Sequence, residues 1–157
     1  MSDARDILDI VDAWRGPTAS QAAGMTLAAA RRIIAAVEAE ATAMQVAMSA
    51  AVVDSGDQLV AFARMDGADL VGVRLAQDKA YTALANRMPT RDLAPLVQPG
   101  AEFYGYDSLA AGRMIVFAGG MPLERDGVLV GAIGVSGGSA EEDQRAADAA
   151  VQAFESG

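Results

Sequence analysis

The sequence contains no cysteine and no histidine, and Lys79 is its one lysine among 157 residues. Without thiols there are no disulfides, no thiolate nucleophile and no zinc–sulfur site. Without imidazole there is no Ser-His-Asp triad, and histidine-ligated zinc or haem is excluded. Positive charge is also scarce: 12 basic against 21 acidic residues give a net charge of −9. Nucleic acid and anionic lipid both call for clustered Lys and Arg, so neither is expected as a partner. No apolar run approaches the roughly 20 residues needed to cross a bilayer. The acidic start "MSDARDILDI" lacks the basic-then-apolar order of a signal peptide, so a cytoplasmic protein is expected. Its chemistry must come from Arg, Lys, Asp, Glu, Ser, Thr, Tyr, Met or the backbone.

What is present reads as one domain with a short N-terminal arm. Ile7, Leu8, Ile10, Val11 and Trp14 have near-helical spacing, and "RGPTASQAAG" follows as a linker, so residues 1–24 form the arm and 25–157 the domain. Thr26 is placed to cap a helix over 27–44, with Leu27, Ala30, Ile34, Val37, Ala41 and Met44 as its apolar stripe. "VAMSAAVVD" and "LVAFARM", separated by "SGDQ", read as a hairpin. Helical spacing returns over 71–86, ended by Pro89, and "TRDLAPLV" follows as a short helical turn. "RMIVFAGG", "MPLER" and "VLVGAIGVSG" read as strands, with Asp126-Gly127 as a tight turn between the last two. Ser139 and Glu142 form a capping box for a final helix to about Phe154. Strand pairs joined by tight turns predict an α+β fold with an antiparallel sheet of about five strands packed by helices.

Several residues could carry chemistry. Lys79 and Thr82 are neighbours on one helix face, in a largely polar stripe that runs Leu75, Lys79, Thr82 and Asn86. They could present a cation and a hydroxyl to a ligand, or be a solvated lysine beside a helix-tolerant threonine. Arg64, at a strand end, could grip a carboxylate or be exposed. Asp66-Gly67 has the chemistry of a turn. The loop "QPGAEFYGYDSLAAG" carries Glu102 and three of the chain's seven Phe and Tyr residues, Phe103, Tyr104 and Tyr106. They could stack on or ligate a ligand, or cover the core edge. The glycines of "GAIGVSGGSAEED" are poor phosphate ligands, because Glu141, Glu142 and Asp143 fill the next helical turn. Close backbone approach, by a packing helix or a flat ligand, is the better reading.

Four blocks in this order, "RMDGA", "AQDKAYTA", "GGMPL" and "VGAIGVSGG" followed by Asp143, resemble the GlcG/HbpS-like family, which also supplies the C-terminal domain of PduO-type proteins. The resemblance spans about residues 25–155. It implies a profilin- or PAS-like α+β fold, homo-oligomers and a small-molecule pocket, with haem as the cofactor associated with some relatives. By block, the implied pocket residues are Arg64, Met65 and Asp66; Lys79, Tyr81 and Thr82; Gly119, Gly120 and Pro122; and Gly134, Val135, Ser136 and Gly137. Phe103 and Tyr104 join them from the loop. Lacking histidine, a haem site would use Tyr, Met, Lys or no strong axial ligand. Besides a structural or regulatory subunit that binds no ligand, two functions remain open. One is an oligomeric small-molecule binder with haem as a candidate ligand. The other is a lyase or isomerase acting on a carbonyl or carboxylate compound. There Lys79 would be base or Schiff-base donor, Arg64 would bind the carboxylate, and Asp78, Glu102 or Tyr104 would move a proton. No metal site is expected.

Overall fold

The structure is a computed structural model that describes residues 24–157. The helix expected over 3–14, and all but the last residue of the linker, lie outside the described residues.

Thr26 caps helix α1 (Leu27–Met44) by accepting a hydrogen bond from the Ala29 amide at 3.1 Å. The buried face of α1 is Ala30, Ile33, Ile34, Val37 and Ala41, while Leu27 is exposed. Gln45 ends the helix in the left-handed conformation. Strands β1 (Ser49–Asp54) and β2 (Leu59–Arg64) form the first hairpin. Asp54 holds its turn by accepting from the Gly56 and Gln58 amides at 2.8 and 3.0 Å. Helix α2 (Leu70–Asn86) follows, capped by Asp69. Short helical turns at Thr90–Leu93 and Ala94–Val97 lead into an irregular stretch. The second hairpin pairs β3 (Gly120–Arg125) with β4 (Val128–Ser136). Asp126 and Gly127 both have positive φ, 53° and 75°, the backbone of a tight turn whose twist matches its strands. Helix α3 (Ala140–Glu155) opens on the capping box of Ser139 and Glu142.

The four strands make one antiparallel sheet in the order β2-β1-β4-β3. Alternation sends Ala50, Val52, Ile133 and Val135 to one face, under α1 and α3, whose Ala146, Ala147, Ala150 and Phe154 complete that core. Val53 and Ala132 face the other way, under Ala80, Ala83 and Leu84 of α2. Among the described residues no helix is long and apolar enough to cross a membrane.

The expected fifth strand, "RMIVFAGG", is irregular until Gly120. Two threonines take several of its backbone groups in place of a ladder. Thr82 accepts from the Ile115 amide at 2.9 Å and lies 3.0 Å from the Arg113 carbonyl. Thr90 donates to the Phe117 carbonyl at 2.7 Å. Buried backbone groups need partners, and side chains from the helical layer supply them.

The glycines of β3 and β4 serve the packing helix. Gly120 and Gly134 are paired across the two strands beneath α2. A Cβ on Gly134 would stand 1.9 Å from the Ala76 carbonyl and 2.6 Å from the Ala80 amide nitrogen. One on Gly120 would stand 2.5 Å from the Lys79 carbonyl. Backbone cannot yield as a flexible side chain does, so Gly134→Ala is expected to cost roughly 3 kcal/mol or more. Gly24→Ala, with nothing within 4 Å of the new carbon, serves as the control. Denaturant melts with equal midpoints for the two variants would contradict the close approach of α2 to the sheet.

Candidate functional site

Lys79 sits on the sheet-facing side of α2 and has no accessible surface. Its ammonium donates to Asp143 Oδ2 at 2.6 Å and to the Val135 carbonyl at 2.9 Å, and Nζ lies 4.9 Å from the centre of the Phe117 ring. Asp143, in the first turn of α3, uses its other oxygen to accept from the Gly137 and Gly138 amides at 3.0 and 2.9 Å. Gly119, with φ of 112°, leaves room for the ammonium: a Cβ there would meet Nζ at 3.0 Å. Burial, the largest influence, pushes the Lys79 pKa below its ordinary value against the pull of Asp143. A lysine so placed is a tie between α2, β4 and α3, not an amine open to a ligand.

A second group surrounds Asp78. Its carboxylate accepts from Arg74 Nε at 2.5 Å and Arg113 Nε at 3.0 Å. Arg113 also reaches Asp57 at 3.0 Å and lies 3.8 Å over the Tyr81 ring. Burial alone would lower the Arg113 pKa, but its hydrogen bonds to Asp57 and Asp78 leave it raised. Asp78 and Tyr81 are thus joined to a guanidinium that anchors the irregular segment.

Arg64 turns its guanidinium to the Ala68 carbonyl, at 3.0 and 2.5 Å, and so closes the connection between β2 and α2. Met65 accepts from the Met48 amide through its sulfur at 3.4 Å, and Asp66 is exposed. Val135 and Ser136 are buried in β4, and half-buried Pro122 lies on β3.

The loop residues lie at another place. Beyond the end of α2, Asn86, Met88, Leu93, Leu96, Val97, Phe103 and Tyr106 line a half-enclosed cavity of about 220 Å³. Tyr106 donates to Asn86 Oδ1 at 2.6 Å, and the Phe103 and Tyr106 rings meet edge to face with centroids 6.2 Å apart. On the outer side of the loop a shallower recess of about 290 Å³ is lined by Glu102, Phe103, Tyr104, Gly105, Tyr106 and Leu109. Neither recess is lined by Lys79 or Arg64. The residues singled out in the sequence therefore fall into separate groups: an internal seam around Lys79, an ion-pair cluster around Asp78 and Tyr81, a turn around Arg64, and a concave surface around the loop. Sequence reasoning passed over Met88, Leu93, Leu96 and Val97 as pocket walls. Tyr106 and the polar stripe ending in Asn86 were the available signals. Among the described residues, no three His, Cys, Asp or Glu side chains cluster as metal ligands do.

Residues 25–152 match the family model described as haem degrading protein HbpS-like. The chain belongs to the HbpS-like family. An uncharacterised 15.0 kDa protein of Citrobacter freundii is 40% identical over 134 residues, covering 85% of this chain and 94% of that protein. The corrinoid adenosyltransferase PduO of Salmonella typhimurium is 44% identical over 124 residues, which are 78% of this chain but 36% of that longer protein. The crystal structure of a PduOC–haem complex superposes with a TM-score of 0.80 at 37% identity, over 83% of this chain and 94% of that one. The profilin-like α+β architecture implied by the sequence blocks is thus the family's, with four strands among the described residues of this HbpS-like chain.

Removing one partner of a buried pair leaves the other charge uncompensated, which costs about 3–5 kcal/mol. Lys79→Met is expected to lose that much, by denaturant melts at neutral pH. The pH dependence has a definite sign. With the folded pKa below 10.5, the unfolded chain holds the proton more tightly between the lowered value and 10.5. The residue's contribution is fullest above 10.5 and falls as pH drops through the folded pKa. The wild-type advantage over Lys79→Met should therefore widen as pH rises through that window, and a narrowing would contradict the assignment.

Proposed function

We propose that this HbpS-like protein is a small-molecule-binding protein whose ligand is a tetrapyrrole such as haem, held without histidine on the outer face of the 102–109 loop. The observation that carries the reading is the exposed apolar surface there: Phe103, Tyr104 and Leu109 are 47%, 69% and 50% exposed around one recess. The PduOC–haem neighbour supports it. The half-enclosed cavity beyond α2, at about 220 Å³, is too small to enclose a macrocycle, since pockets for drug-sized ligands run to roughly 300–1,000 Å³, so a flat macrocycle would lie on the surface. A phenol oxygen is a known axial donor to haem iron. Among the described residues the Tyr104 hydroxyl has no hydrogen-bond partner, whereas that of Tyr106 is engaged with Asn86. Haem, when bound, supplies a redox-active iron. The chain supplies an apolar bed from Phe103 and Leu109 and an oxygen donor from Tyr104.

The geometry offers less support to a lyase or isomerase. Lys79 and Arg64 engage separate partners, and the ammonium is inside the core. Self-association and a cytoplasmic setting complete the proposal. Leu70 and Val71, 78% and 59% exposed at the start of α2, are the apolar side chains a second copy would cover.

Hemin titrated into the full chain should shift the Soret band saturably, at about one per protomer. Tyr104→Phe should change the spectrum and weaken binding about tenfold, equivalent to about 1.4 kcal/mol. A non-saturating response, or a Tyr104→Phe titration matching wild type, would retire the tetrapyrrole reading. Light scattering on the same samples should give a multiple of the protomer mass, and a protomer mass at all concentrations would remove the oligomer.

A further inference from the structure

A half-enclosed, mostly apolar recess of about 220 Å³ lies beyond the end of α2, open to a ligand from solvent. An engineered apolar cavity of about 150 Å³ takes up benzene. This one has room for a ring with a short substituent. Its lining carries no charged side chain: five of the seven residues are Met88, Leu93, Leu96, Val97 and Phe103, and the polar pair is Asn86 and Tyr106. A carboxylate or an ammonium would lose its hydration there and gain no counter-charge.

The hydrogen bonds of the polar pair narrow the ligand further. Tyr106 donates its proton to Asn86 Oδ1 at 2.6 Å. Asn86 Nδ2 donates to the Thr82 carbonyl at 2.8 Å and lies 3.7 Å from Met114 Sδ. The amide orientation follows from this network, because the Thr82 carbonyl requires a donor facing it. The Tyr106 O–H and one Asn86 N–H are thus committed to oxygens, the other Asn86 N–H is directed at the Met114 sulfur, and what remains for a guest is acceptor capacity on the Tyr106 oxygen and the second lone pair of Asn86 Oδ1. A guest must bring its own donor.

We propose that this cavity is a second binding site, separate from the outer face of the loop, for a small uncharged organic molecule bearing a hydroxyl group, whose proton is accepted by Tyr106. The apolar walls hold the body of the ligand, and the Tyr106–Asn86 pair selects an alcohol over the matching aldehyde or acid.

Benzyl alcohol, benzaldehyde, benzoate and toluene share a ring and differ only in the polar group. Titration calorimetry and thermal melts of the full chain with each should rank benzyl alcohol first. Its margin over toluene and benzaldehyde should be about three- to tenfold, the worth of one neutral hydrogen bond. Benzoate should not bind. Tyr106→Phe, which keeps the ring, should reduce benzyl alcohol to the level of toluene. Leu96→Trp, at a wall position that is 39% exposed, should weaken all the neutral probes. Absence of binding by all four, equal binding of the three neutral probes, benzoate binding as well as the alcohol, or benzyl alcohol affinity unchanged in both variants would each overturn the proposal.

Discussion

An ammonium ion with no contact with water must find its compensation inside the protein. For Lys79 that compensation is Asp143, 64 positions further along the chain. The pair does more than cancel two charges. Lys79 belongs to the helix on one side of the sheet and Asp143 to a helix on the other, and the same lysine binds the Val135 carbonyl at the end of the central strand β4. Asp143 then fixes the turn between β4 and α3 through two amides. Three layers are thus joined at a point where a lost partner would leave a buried charge, the most costly defect a core can hold. The glycines around it, Gly119, Gly120 and Gly134, let helix, strand and ammonium come together without a Cβ between them.

The polar stripe of α2 extends this role along the helix. Lys79 ties down the end of β4 and the start of α3. Thr82 holds the backbone of the irregular segment at Arg113 and Ile115. Asn86 receives the Tyr106 hydroxyl. Lys79 and Thr82 are both fully buried, while Asn86 is half-buried and stands at the rim of an apolar cavity. The division of labour follows: the buried end of the stripe is scaffold, and the outer end, where the 102–109 loop exposes aromatic rings, is where a ligand can be met. A resemblance of whole sequence blocks to a family does not separate these two roles. Lys79 and Tyr104 both drew notice in the sequence, and only their surroundings distinguish them.

Features set by near neighbours were legible from the sequence. The caps at Thr26 and Ser139, the Asp126-Gly127 turn and both hairpins depend on residues within a few positions of one another. So was the reading of the β4 glycines as sites of close approach. What could not be read was set by distant partners. "RMIVFAGG" has the composition of a strand, yet Thr82 and Thr90 take its backbone groups. Spacing alone could not tell a lysine facing a ligand from one facing Asp143. The wall residues Leu93, Leu96 and Val97 look like ordinary core in a short helical turn, and only tertiary packing leaves space beside them.

The most direct test of this account uses the fact that Lys79 is the one lysine in the chain. The native protein would be treated with an amine-acylating reagent at a pH above neutral, digested, and the peptide containing Lys79 quantified by mass spectrometry beside a sample denatured before labelling. An ammonium sealed in the core and paired with Asp143 predicts that this peptide stays unmodified in the native sample and is fully acylated in the denatured one. Acylation of native Lys79 at the rate of the unfolded chain would show an accessible amine, and would contradict the structural role on which the rest depends.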